Sequence, residues 1–327
     1  MEGRTLTSRK LGKAQVQVSE LGFGAAQIGN LHSPVDDATA FAAVEAAWRA
    51  GVRYFDTAPH YGLGLSERRL GAALADKPRG AYVVSTKVGR LLVPNPAGRG
   101  SDLSEGGFAV PDALMRQLDY SADGARRSLE ASLERLGLDH VDVVYVHDPD
   151  DPAHLQQAIY EAIPALCKLR DEGVVGAVGA GMNYWQPLLR VVREADVDAV
   201  MLAGRWTLLD RSGAPLLEEC LQRGVSVVAA APFNSGLLAY DWPPEGALWD
   251  YAPAPPEVLG KARDLARVCR RHGTTLPAAA LQFPLRHKAV ASVVAGVRTA
   301  EQARACAEHF AAIVPEAAWR ELEVMAH

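Results

Sequence analysis

Four ionisable side chains of useful types stand at or just after the ends of apolar runs. Asp56 closes the run Tyr54-Phe55-Asp56, and Tyr61 follows in the next loop. Lys87 lies near the end of a run over 82–88, and His147 closes one over 141–147. Buried strands avoid charge, so a carboxylate, an ammonium and an imidazole at strand ends call for a reason. An ammonium beside a phenol favours the phenolate and lowers a pKa that is ordinarily about 10. A carboxylate beside the ammonium keeps it charged and oriented. An imidazole can hydrogen-bond a substrate oxygen. Together the four supply a proton donor and acceptor for interconverting a carbonyl and an alcohol. Taken singly, each has a plainer reading as a cap, an ion-pair partner or a satisfied polar group. The set carries the inference.

These groups meet only if their runs lie side by side. Short apolar runs recur at 21–25, 54–56, 82–88, 141–147, 174–181, 197–206, 225–231 and 289–296. Helical patterns separate them at 36–50, 66–75, 121–136, 159–172, 185–194, 215–223, 258–272, 276–286 and 299–312. Gly51, Gly137, Gly173 and Gly224 are the stop signals. Eight strands alternating with helices in 327 residues predict an α/β fold, a closed (β/α)8 TIM barrel rather than an open sheet. The near-continuous apolar run at 225–231 suits a parallel strand buried on both faces. Residues 10–19 alternate around Gly12-Lys13, which predicts an N-terminal β-hairpin plugging the barrel bottom. No linker divides the chain, so one domain over 1–327 is expected.

Two connections, 89–120 and 234–256, are too long for simple turns. The first is rich in Gly and Pro with little periodicity. Both follow strands, so both belong on the C-terminal face, where barrel enzymes keep their active sites. The second carries Tyr240, Trp242, Trp249 and Tyr251 and reads as a substrate lid.

Hydrophobic residues make up 49% of the chain, enough for a large core, and charged residues 22%, too balanced for disorder. A net charge of −5 gives no basic footprint for nucleic acid or an acidic lipid surface. No run of 18 apolar residues exists, and residues 1–13 lack an apolar signal core. Cys167, Cys220, Cys269 and Cys306 form no Cys-x-x-Cys pair and read as scattered thiols in a reducing compartment. The expectation is a cytoplasmic monomer or small homo-oligomer acting on a small molecule, with no nucleic acid, membrane or metal partner.

Gly51-Val52-Arg53-Tyr54-Phe55-Asp56-Thr57-Ala58-Pro59-His60-Tyr61-Gly62 resembles the aldo-keto reductase signature that holds an Asp and a Tyr. Ser85-Thr86-Lys87-Val88-Gly89 is similar to the lysine strand of that family. Asp142-Val143-Val144-Tyr145-Val146-His147-Asp148-Pro149 is similar to its histidine strand. The resemblance implies that Tyr61 is the general acid/base, that Lys87 lowers its pKa, that Asp56 holds Lys87 and that His147 orients the substrate carbonyl. It also implies NAD or NADP extended over the barrel mouth, without the Gly-x-Gly-x-x-Gly turn that this chain lacks.

On the same resemblance Asn183 binds the nicotinamide amide, and Pro232, Phe233, Asn234, Gly236 and Leu237 cover the pyrophosphate. Gly296, Arg298, Thr299 and Gln302 approach the adenosine end, where a helix start offers N–H groups to an anion. The rival for Arg298 is a solvated helix-cap charge. Met182, Ala203 and Ala230 depart from the Ser, the Gln and the stacking aromatic of many relatives, and Trp206 is a candidate replacement for the aromatic. Gly296 and Gln302 fall where NADP-preferring relatives carry Lys and Arg, so the expected cofactor is NAD. The stretches 202–210 and 230–238 resemble the sugar dehydrogenase branch of the family. That implies oxidation of an aldose such as L-fucose at C1 to its lactone, with Arg205, Trp206 and Asp210, and also Asn234, as substrate-binding candidates. Surface ion pairing is the rival role for these polar side chains. Oxidation of pyridoxal and a broad NADPH-dependent reduction of aldehydes and ketones stay open as alternatives.

Overall fold

The computed structural model describes residues 5–325. Eight strands lie parallel and close on themselves: Leu21–Gly24, Tyr54–Asp56, Val83–Val88, Val141–His147, Val175–Met182, Ala199–Ala203, Ser226–Ala230 and Val290–Gly296. Each pairs with the next in sequence, and the last returns to the first. The expected (β/α)8 barrel is therefore the fold. The sixth strand is shorter than the apolar run 197–206 suggested. Gly204, at φ 70°, turns the chain out of the sheet after Ala203 and leaves Arg205 and Trp206 in the loop beyond.

Most helices start and stop where local chemistry directs. Asp36, Ser121 and Thr299 accept backbone N–H bonds as N-caps, and Gly137 and Gly224 end their helices in the left-handed region. The helix after the fourth strand begins earlier than expected, at Pro152, with Asp151 as cap. Its π turn, Ala158–Ala162, precedes Pro164, which has no N–H to continue the regular ladder. Glu316–Val324 forms a further helix that the sequence reading omitted. Ala318, Trp319 and Leu322 bury its inner face in a second core, with Leu265, Cys269, Leu237 and Leu238.

The N-terminal hairpin pairs Ser8–Lys10 with Gln17–Ser19. Leu11 and Val18 are fully buried in the cluster that fills the barrel, alongside Tyr54, Val143, Tyr145 and Met201. Burying a leucine side chain this completely stabilises by about 1.5–3 kcal/mol. Gly12 sits at φ 48° against the Asp198 carbonyl, where a Cβ would lie 2.1 Å from the oxygen. Its N–H donates to Ser226 Oγ at 2.7 Å. Both contacts are at strand starts, so the hairpin closes the N-terminal end of the barrel.

Residues 89–120 are not irregular throughout. Arg90–Pro94 and Leu114–Leu118 form an antiparallel ribbon. Its tip returns to the loop after the first strand: His32 N–H donates to Gly107 O, and Ala109 N–H to Asn30 O, both at 2.8 Å. Within 234–256, Leu248–Trp249 pairs with Ala252–Pro253 around Asp250 and Tyr251, which have φ of 50° and 65°. Among the described residues the non-glycine positions with positive φ are Asn30, His32, Leu63, Asp148, Ala231, Asn234, Ser235, Asp250 and Tyr251. Every one lies on a connection that leaves the C-terminal end of a strand. Backbone strain of this kind clusters at functional sites, and here it marks one face. No helix among the described residues is long and apolar enough to cross a membrane.

Candidate active site

Period-two alternation along the strands builds the site. In the second strand Tyr54 and Asp56 face inward, in the third Val83, Ser85 and Lys87, and in the fourth Val143, Tyr145 and His147. Register then sets height: Asp56 lies opposite Ser85, and Lys87 opposite Tyr145. Asp56, Lys87 and His147 are the last inward-facing residues of their strands, each two residues beyond Tyr54, Ser85 and Tyr145. Tyr61 reaches in from the next loop, which Gly29 and Gly62 let pack closely. A Cβ on Gly62, at φ 63°, would come within 2.2 Å of the Gly29 carbonyl oxygen.

Lys87 Nζ donates to Asp56 Oδ2 at 2.7 Å, to the Thr57 carbonyl at 2.9 Å and to Tyr61 Oη at 3.1 Å. Its three N–H bonds are all used, and Lys87 is 2% exposed. Asp56 accepts a second bond from Ser85 Oγ at 2.7 Å. Below, Ser85 Oγ also reaches Tyr54 Oη at 3.1 Å, and Tyr54 Oη lies 3.2 Å from Tyr145 Oη.

Lys87 lowers the Tyr61 pKa as expected, but burial outweighs it. Burial pushes the Tyr61 phenol up to about 12, and the Lys87 ammonium opposes that rise without overcoming it. The resting side chain is a phenol. Lys87 limits what removing its proton costs and does not make the phenolate the ground state. The Lys87 pKa is itself raised, because Asp56 and Tyr61 together outweigh its burial.

His147 stands at a right angle to Tyr61, with ring centroids 5.9 Å apart. Its Nδ1 is buried with no partner among the described residues, and its Nε2 lies 3.4 Å from Asp148 Oδ2. Arg90 Nη2 holds Asp148 at 2.7 Å. His60 completes a ring of aromatics, 5.7 Å from His147 and 5.3 Å from Phe108. Sequence reading missed Arg90, His60, Phe108, Arg116 and Asp102. Its available signal was the pair of short apolar-rich runs Arg90-Leu91-Leu92-Val93 and Leu114-Met115-Arg116-Gln117-Leu118, flanking a Gly-rich stretch.

Both imidazoles are held neutral. Burial, then the Arg90 cation, pushes His60 down to about 2 and His147 well below its ordinary value. The unfolded chain protonates these rings below about pH 6.5 while the folded chain does not, so acid favours unfolding. Asp148 acts the other way. Burial raises it to about 6, so its contribution is present below about pH 4 and fades as pH rises through 6. Within this cluster two rings against one carboxyl leave a net loss on acidification, contributing a slope of up to about 1.4 kcal/mol per pH unit between pH 6.5 and 4. Denaturant unfolding of His60→Phe should show a shallower pH dependence. An unchanged slope would refute the buried neutral ring.

Residues 20–325 match the Aldo/keto reductase family. The chain is an aldo-keto reductase. It is 48% identical over 311 residues to D-threo-aldose 1-dehydrogenase from a Pseudomonas species, covering 94% of each chain. It is 39% identical to pyridoxal 4-dehydrogenase from Microbacterium luteolum, covering 96% of each. Among solved structures, the holo form of aldo-keto reductase AKR11C1 from Bacillus halodurans superposes with a TM-score of 0.78 at 25% identity, over 99% of this chain and 97% of the other.

Aldo-keto reductases use nicotinamide cofactors, and the barrel mouth of this one offers suitable groups. Asn183, one residue past the fifth strand, is half-buried and its amide makes no hydrogen bond among the described residues. A free primary amide can pair with the carboxamide of a nicotinamide. Ala203 and Ala230 lie opposite each other at the ends of the sixth and seventh strands and leave the mouth open. Beyond Ala230 the segment Pro232–Leu237 folds back tightly, with Ala231, Asn234, Ser235 and Gly236 at positive φ. Pro232, Asn234 and Leu237 are buried, while Phe233 and Gly236 are half-buried. Asn234 Nδ2 donates to Gly204 O at 3.1 Å, and its buried Oδ1 has no partner among the described residues.

At the eighth strand Gly296 is exposed and Thr299 caps the following helix. Arg298 is not a free solvated charge. Its guanidinium donates to Gln27 Oε1 at 2.8 Å, to Leu31 O at 2.6 Å and to Ser33. Gln302 Oε1 accepts the Arg298 backbone N–H at 2.8 Å.

Of the substrate-side candidates, Arg205 is bonded to Asp250 on the 234–256 segment at 2.6 and 3.1 Å and lies 3.7 Å from Asp210. Asp210 Oδ1 accepts the Ser212 N–H. Trp206 turns away from the mouth. It donates Nε1–H to Pro284 O at 3.3 Å and packs on Phe283 and His287, so it does not stand in for an aromatic over the nicotinamide.

Proposed function

We propose that this aldo-keto reductase oxidises the anomeric C–OH of an aldose to the lactone, with NAD as acceptor. The observation that carries the reading is the buried Asp56–Lys87–Tyr61 chain of hydrogen bonds, with the neutral His147 ring beside the phenol. The relatives named above support the substrate class. A bound nicotinamide supplies the hydride acceptor.

The protein does the proton work. Tyr61 and His147 bind the anomeric hydroxyl oxygen. Tyr61, once deprotonated, takes the hydroxyl proton as the C–H bond breaks. The Lys87 ammonium stabilises the phenolate, and Asp56 keeps that ammonium in place. His147, neutral, orients the oxygen without competing for the proton. Arg205, Asp210 and Asn234 are candidate ligands for the remaining sugar hydroxyls. Opening the Arg205–Asp250 pair would couple the 234–256 lid to substrate entry. Trp206 enters only as packing.

NAD is favoured because Gly296 brings no cation and the Arg298 guanidinium is already bonded to Gln27, Leu31 and Ser33. A screen of aldoses should show reduced cofactor forming with NAD and weaker binding of NADP by fluorescence titration. Gly296→Lys adds a cation at a site where a Cβ meets only Gln27, at 3.5 Å. It should tighten NADP by about five-fold, the scale of one exposed ion pair. No turnover of any aldose overturns the substrate class, and a clear wild-type preference for NADP overturns the cofactor. Preferential oxidation of pyridoxal would favour the alternative suggested by the 39% relative.

A further inference from the structure

We propose that His60 is a substrate-binding residue whose Nε2–H donates to the hydroxyl on the carbon next to the reacting one, so that the site selects α-hydroxylated substrates. This rests on the aldose reading above and names a determinant of its specificity.

Arg116 Nε donates to His60 Nδ1, and Arg90 Nη1 lies 3.5 Å from the same nitrogen. An arginine has only donors, so Nδ1 must be the acceptor and the ring proton sits on Nε2. The frame enforcing this is rigid. Asp102, 2% exposed, grips Arg116 at two points, 2.6 and 2.7 Å, and Arg116 Nη2 also donates to the His60 carbonyl at 2.9 Å. The ribbon Arg90–Pro94/Leu114–Leu118 presents both arginines on one face, because Leu92 lies opposite Arg116 and Arg90 lies two residues back.

Ring geometry turns Nε2–H away from those arginines. It has no partner among the described residues, although the ring is half-buried and edge-on to Phe108. The ring centroid is 5.7 Å from that of His147 and 6.1 Å from that of Tyr61, the two groups that bind the reacting oxygen. Proton transfer through Tyr61 and Lys87 has no use for this donor. An aldose does, because the carbon beside its anomeric centre carries a hydroxyl. A half-buried N–H shaped to meet that hydroxyl is left unpaired by an analogue lacking it, which is how such sites discriminate. Arg116 and Asp102 are then positioning residues that fix the tautomer.

The test compares kcat/KM for an aldose and for the same aldose lacking its C2 hydroxyl, in wild type and in His60→Phe. Wild type should prefer the intact aldose by about 10–100-fold, and the variant should bring the two within about three-fold. A ratio unchanged by the substitution overturns the role of His60 and leaves the aldose reading standing. Failure of wild type to turn over either sugar overturns both. Should His60→Phe not fold, a wild-type ratio near one still refutes the proposal. Nitrogen NMR of the wild-type ring should show the proton on Nε2, with a mixed signal in Arg116→Met. A proton on Nδ1 in wild type refutes the fixed donor.

Discussion

Tyr61→Phe is expected to lower kcat for aldose oxidation by about 10²–10⁴-fold, the range for loss of a positioned proton acceptor. The change removes one oxygen and keeps the ring against Phe108, 6.0 Å away, and His147. The cofactor dissociation constant should therefore stay within about two-fold, since an interaction made only in the transition state leaves binding untouched. The pH profile gives an independent readout. Burial holds the phenol up at about 12, so the competent phenolate is scarce at neutrality and increases about ten-fold per pH unit. Wild-type oxidation should quicken as pH rises into the alkaline range. Reduction, which uses the phenol as acid, should not. Tyr61→Phe should lose the alkaline rise. Full activity in that variant would refute the assignment.

Lys87→Met is expected to destabilise the fold as well as abolish turnover. Lys87 and Asp56 are 2% and 3% exposed, and their ion pair is 2.7 Å long. Removing the ammonium leaves a carboxylate in the barrel with only Ser85 as hydrogen-bond partner. Breaking a buried pair from one side costs about 3–5 kcal/mol. At about 2 °C per kcal/mol for a large domain, Tm should fall by about 6–10 °C. The double variant Lys87→Met/Asp56→Leu should recover most of that Tm, because no unpaired charge remains, while staying inactive. A single variant with wild-type Tm would refute the buried-charge account. A double variant that turned over substrate would refute the role of the pair in tuning Tyr61.

The barrel was legible because its evidence is local and repeated. Apolar runs with helical segments between them, each closed by a cap or a glycine, permit few architectures. Asp56, Lys87 and His147 were legible because charge inside such runs is anomalous. The segment 89–120 was not, since its two strands are short and separated by the Gly- and Pro-rich stretch 95–113. Without that ribbon, nothing in the sequence brings Arg90 and Arg116 to His60 and Asp148. Trp206 failed for a different reason. One glycine, Gly204, ends the sixth strand early and sends the indole into the second core, which spacing does not reveal. The lowering effect of Lys87 on Tyr61 was legible, but the net rise was not, because the lysine is visible in the sequence and the depth of burial is not.

The N-terminal hairpin makes the cylinder a cul-de-sac. The hydroxyl file from Asp56 through Ser85 and Tyr54 ends at Tyr145, with the side chains of Leu11 and Val18 in the same apolar filling. Both tyrosines resist ionisation because they are buried, so the file stays uncharged at neutral pH. With the hairpin packed into the other end, the rim is the open side through which a hydrogen ion taken up by Tyr61 reaches bulk water. Its traffic with bulk water is therefore tied to opening at the rim, and the interior hydroxyls should trade protium for deuterium slowly.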